Sequence, residues 1–89
     1  MANQGVADAQ FNLGLMYAKG EGVARDTKQA ARWWQRSADQ GDARAQFDLG
    51  LMYANGEGVA HDAKRAEYWF QKAADQGYAD ARKALQQLQ

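Results

Sequence analysis

Along residues 27–39, Ala30, Trp33, Trp34, Ser37 and Ala38 fall at i, i+3, i+4, i+7 and i+8. That spacing gathers small and aromatic side chains into one stripe of an α-helix and leaves Arg32 and Arg36 on the outer side. Ala66, Trp69, Phe70, Ala73 and Ala74 lay down the same stripe along about 63–76. A second kind of segment, at about 7–19 and about 43–55, is apolar on two sides. In its first copy Ala9, Leu13, Met16 and Tyr17 lie on one side and Phe11, Leu15 and Ala18 on the other. A helix held between its own partner and a neighbouring unit has that pattern. A last segment of this kind covers about 79–88. No stretch alternates with period two, so no strand is expected.

These segments recur in register. A shift of 36 residues lays residues 4–35 on 40–71 with roughly two-thirds of the positions identical, and a partial third copy starts at Ala74. Self-similarity at this period is the mark of stacked helical units. Each unit reads as helix A followed by helix B. Gly20 and Gly56 stand where helix A ends, and Gly41 and Gly77 where helix B ends, each fitted to the left-handed conformation just past a helix. Asp26, Asp42 and Asp62 are the expected N-caps; Asp26 with Gln29 approximates a capping box. Gly14 and Gly50 lie inside helix A at a cost of about 1 kcal/mol each against Ala. The expected gain is room for an aromatic ring to lie flat on the backbone.

Composition agrees with helices, since the chain has no Ile, only three Val and abundant Ala. Eleven basic residues balance eleven acidic ones, so no net field draws the chain to nucleic acid or a membrane surface. No apolar run reaches membrane-spanning length. The absence of Cys removes disulfides and thiolate metal sites without deciding between a cytoplasmic and a periplasmic setting.

The run A-x-A-Q-F-x-L-G-L-M-Y-x-x-G-E-G-V-A-x-D, followed by Ala30, Trp33 and ADQG, resembles the Sel-1-like repeat, a longer cousin of the tetratricopeptide repeat. The resemblance covers nearly the whole chain. It implies one all-α domain over 1–89, a right-handed superhelical stack of about two and a half repeats. Repeat 1 spans about 5–40, repeat 2 about 41–76, and a capping helix about 77–89. Two departures stand out: Ala24 and Ala60 replace a common Pro of the family, and the paired Cys of its secreted branch are missing. Residues 2–5 match 38–41, the tail of a helix B, so the chain is expected to open partway through a repeat. Gln86, Gln87 and Gln89 replace Gly, Leu and Tyr of the earlier copies, the polar outer face of a terminal helix.

Candidate chemistry is sparse. The loop Gly20-Glu21-Gly22 follows a helix, carries a carboxylate at its centre and lacks the Lys-Ser/Thr of a phosphate loop. One Ser (Ser37), one Thr (Thr27) and one His (His61) are scattered, and Ser37 sits on the packed stripe without a Ser-x-x-Lys arrangement. No enzyme activity and no cofactor are expected. Glu21, Asp26, Glu57 and Asp62 match no calcium loop, and capping and solvation account for them. Trp33 and Trp34 belong to the buried stripe, which leaves Arg32 and Arg36 a solvated face and argues against nucleic acid.

One face of helix A, which differs between the copies at three of its four positions, is more telling. Asp8, Asn12, Leu15 and Lys19 run along one face of the first helix A, and Arg44, Asp48, Leu51 and Asn55 take the same places in the second. In related solenoids the A helices line a concave groove that holds peptides. The resemblance therefore implies a scaffold or adaptor that binds a protein or peptide partner through these eight residues. Two alternatives accompany it: a cell-envelope or secreted binder of peptidoglycan or β-lactam-like ligands with at most marginal hydrolysis, and a structural array unit that self-associates through exposed repeat ends.

Overall fold

The computed structural model describes residues 2–88, which form α1 (Ala2–Lys19), α2 (Thr27–Asp39), α3 (Ala43–Asn55), α4 (Ala63–Asp75) and α5 (Ala79–Leu88). No strand occurs among the described residues. Each helix packs mainly on its neighbours in sequence. The pairs α1·α2 and α3·α4 close the two hairpins, while α2·α3 and α4·α5 join one unit to the next. The pile measures 37 × 31 × 16 Å.

The helix starts follow the acidic caps. The Asp26 carboxylate accepts the amides of Lys28 and Gln29, Asp42 those of Arg44 and Ala45, and Asp62 that of Arg65. The second half of the expected Asp26–Gln29 capping box does not form, because the Asp26 N–H donates to the Tyr17 carbonyl at 2.9 Å. Asp62 makes the same bond to Tyr53 at 3.0 Å, so each loop is fastened to the end of its own helix A. Gly56 (φ +68°) turns the chain out of α3 in the left-handed conformation, its N–H on the Met52 carbonyl. Arg25 helps at the first copy, where its Nε donates to Ala18 O at 3.1 Å.

One expected boundary is different. Residues 2–5 continue α1 and do not form the tail of a separate helix B. At the matching turn, Gly41 adopts φ +96° and Asp42 caps the following helix. The first copy has Val6 in place of Asp42, with no side-chain acceptor to start a new helix, and Gly5 keeps a negative φ. The helix runs straight through.

The B-helix stripes pack as their spacing predicts, with one exception. Ala30, Trp34, Ser37 and Ala38 on α2 and all five positions on α4 are buried. Trp33 is only half-buried and lies under the Arg36 guanidinium, 4.8 Å from the ring centroid. The glycines inside helix A are contact points. A Cβ on Gly14 would stand 2.3 Å from the Trp34 indole, and one on Gly50 would stand 2.7 Å from the Phe70 ring. The indole is also anchored there, its Nε1 donating to Phe11 O at 3.1 Å.

Two buried polar groups are fully engaged. Ser37 Oγ donates to Ala7 O at 2.8 Å. Gln46 donates from Nε2 to Ala38 O and accepts from Gln76 Nε2, which ties the two units together. The A helices are covered unequally: Ala45, Leu49 and Met52 of α3 are buried, whereas Ala9 of α1 is exposed and Leu13 and Met16 are half-buried. The difference is α2, which packs on α3.

Candidate functional site

The face of interest spans α1 and α3, which meet through the side chains of Asp8, Phe11 and Arg44. Asp8 on α1 meets Arg44 on α3, with Nη2 to Oδ1 at 2.6 Å. The same Arg44 also holds Asp42 at 2.7 Å and lays its guanidinium 4.3 Å from the Phe11 ring centroid. Thus Asp8 and Arg44 neutralise each other across the two units. Asn12, Lys19 and Asn55 are exposed, and Leu51 is 36% exposed. Leu15 is half-buried and leans on the core. Asp48, one turn beyond Arg44, is half-buried.

At the far end of this face a cavity of about 210 Å³ opens between α3 and the junction of α1 with α2. Trp34, Leu51 and Met52 give it apolar walls; Asp48, Asn55 and Glu57 supply polar groups, and Arg25 stands at 3.9 Å from Glu57.

Asp42, the cap of α3, and Asp48 within it are tuned in opposite directions. Burial raises Asp42, but the hydrogen bond from Arg44, the amides of Ala45 and Arg44 and the Arg44 charge outweigh it and hold Asp42 below the usual value. Asp48 has no such compensation. Burial, with some help from the Asp42 charge and against the pull of Arg44, pushes it up to about 6.

Groups that suggested other chemistry have structural occupations. The Ser37 hydroxyl is 0% exposed and bonded to a carbonyl. His61 is an exposed loop residue whose Cβ packs on Gly56. The loop amides of Gly20 and Glu21 donate to Met16 O, so they are not turned toward an anion. Asp26 and Asp62 are caps, and no group of three or more His, Cys, Asp or Glu among the described residues could hold a metal. No helix there is long and apolar enough to cross a membrane. Trp34 and Trp69 are buried and unavailable for stacking on bases. Lys28, Arg32 and Arg36 border a wider crease of about 430 Å³ against Leu49 and Val59, but all three cations are exposed.

Pattern reading had missed the glutamine ties Gln10–Gln40 and Gln46–Gln76 and the part that Trp34 and Arg25 play in the cavity. A signal for the glutamines was present, since all four are unchanged between units.

Helical hairpins of fixed length, stacked in sequence with aromatic rings seated on glycines, define an all-α solenoid repeat protein. The Sel1 repeat model matches residues 7–42 and 43–78, and the chain belongs to that family. Its structure is similar to that of a Sel1 repeat protein from Oxalobacter formigenes, with 44% identity and a TM-score of 0.90 over 91% of this chain. It is also similar to c5321, a protective antigen of uropathogenic Escherichia coli strains displaying an SLR fold, at 41% identity and TM-score 0.88 over 93%. Helicobacter pylori cysteine rich protein B (hcpB) is similar at 29% identity and TM-score 0.85 over 89%. The chain spans 61%, 18% and 59% of those three proteins. Comparison with curated proteins finds no match. The Sel1-repeat fold is typical of protein–protein interaction modules, and its members are generally non-enzymatic scaffolds.

Proposed function

We propose that the chain is an interaction module whose α1/α3 face is the concave side and takes an extended segment of a protein partner. One observation carries the reading. Within the A helices, residues 7–19 against 43–55, the positions that change between the two units are Asp8/Arg44, Asn12/Asp48 and Lys19/Asn55, which gather on one side, while the packing positions of helix A repeat. Stacking constrains the repeated positions; recognition is the use left for the others. Asn12 and Asn55 present amides suited to a peptide backbone, and Leu51 offers an apolar contact. Selection of random displayed peptides on the folded chain, followed by NMR titration of a selected peptide, tests it. Shifts at Asn12, Lys19, Leu51 and Asn55 are expected. Shifts confined to Val6 and Ala9 at one end, or to Tyr68 at the other, overturn it.

A second reading rests on the uneven cover of the A helices. The side of α1 carrying Ala9, Leu13 and Met16 matches the side of α3 that α2 buries. It fits a further helical hairpin, and a second copy of the chain supplies one.

A further inference from the structure

We propose that the α1/α3 face selects a basic side chain, arginine or lysine, of its partner, received by Asp48 in the cavity beside Trp34. This rests on the proposed use of that face and names the chemistry it reads.

Four side chains on the face carry charge, and they are not equivalent. Arg44 is already paired with Asp8 and Asp42, and it covers Phe11. Lys19 is exposed at the end of α1. Asp48 alone is half-buried, and no cation stands within 4.0 Å of it among the described residues. A carboxylate taken part-way out of water without a partner is stabilised when a cation arrives, more than an exposed one would be.

The cavity has the shape for that cation. At about 210 Å³ it is a recess on the scale of a single long side chain. Trp34, Leu51 and Met52 form apolar walls for an aliphatic stem, while Asp48 and Glu57 wait for the charged head. Glu57 is already shared with Arg25, so Asp48 is the free acceptor. The planar fork of a guanidinium can take both oxygens of Asp48. The first unit has Asn12 where the second has Asp48, so the cationic subsite belongs to α3 alone.

Titration of the labelled chain with N-acetyl-arginine amide and with its neutral isostere N-acetyl-citrulline amide tests this, on the natural sequence and on Asp48→Asn. The arginine compound is expected to shift Asp48, Leu51 and Asn55 and to bind about tenfold more tightly than citrulline. Its affinity rises from pH 5 to pH 7, as Asp48 gives up its proton, and Asp48→Asn abolishes both the preference and the pH dependence. The neighbours facing Asp48 are Asp42 and Arg44 from the start of α3, Tyr78 ahead of α5, and Arg25 and Glu57 from the loops. The Asn variant separates its titration from theirs. Equal response to citrulline, an unchanged preference in Asp48→Asn, or arginine shifts confined to the Lys28–Arg32–Arg36 crease overturns the inference. A selected peptide that binds the α1/α3 face without a basic residue also overturns it and leaves the interaction reading standing. Selected peptides that leave the face unshifted remove that reading itself.

Discussion

At the scale of single residues, Asp48 is the group whose position most affects behaviour. Its folded value of about 6 lies above the ordinary 3.8. At pH 7 it is ionised in both folded and unfolded chains, and the folded chain bears the cost of burying the charge. As pH falls through 6 the folded state takes the proton first. Stability therefore rises until about 3.8, where the unfolded state takes it too. The expected gain between pH 7 and pH 4.5 is about 1–3 kcal/mol, read as a higher urea midpoint, and Asp48→Asn removes it. Asp42 acts in the opposite sense and lower down. Its value is depressed, so its contribution is present above 3.8 and lost as pH falls through the folded value. The sequence marked Asp48 as a variable position. Its half-burial was not legible there, because burial depends on α2 and the junction of α1 with α2 packing beside α3.

Between elements, the decisive contacts are rings against helix backbone. Gly50→Ala gains up to about 1 kcal/mol of helix propensity. It also drives a methyl to 2.7 Å from the Phe70 ring, which is 1% exposed and has nowhere to retreat. Overpacking of that kind costs about 1–3 kcal/mol, so the crowding wins, and a net loss of about 1–2 kcal/mol in thermal or urea unfolding is expected. An unchanged or raised stability would mean that the α3·α4 contact is slack. Gly14→Ala meets a harder obstacle still, because the Trp34 indole is held by its bond to Phe11 O. The intervals between glycine and ring were readable from the repeat, as were the helices and their acidic caps. The capping box was not, since its missing donor was claimed by Tyr17 O across the loop.

For the whole molecule, the asymmetry of its two ends matters most. The α1 side with Ala9, Leu13 and Met16 lacks the cover that α2 gives to Ala45, Leu49 and Met52. At the other end Glu67 stands exposed on α4 where α2 has the buried Ala31. An apolar side and a charged one do not complement each other, so head-to-tail growth is disfavoured and pairing of two α1 sides is the expected association. Light scattering should give a mass rising from 9.9 kDa with concentration, and Leu13→Lys should hold the chain at that mass. A natural chain that stays monomeric at millimolar concentration removes the self-association reading.

The sequence by itself determined the local structure: which segments are helical, where they stop, and that the pattern comes twice. Those features depend on hydrophobic period, caps and glycine turns, all of which act over a few residues. It also separated the unchanged positions from the variable ones. Only the tertiary structure decided what the variable positions face. It paired Asp8 with Arg44 across 36 residues, left Asp48 unpaired beside a cavity, and let α1 run through residues 2–5 where a repeat would have turned. Each of these is set by the packing of one helix on another. Solvent access and the distance to an opposite charge are properties of that packing, and a linear pattern does not carry them.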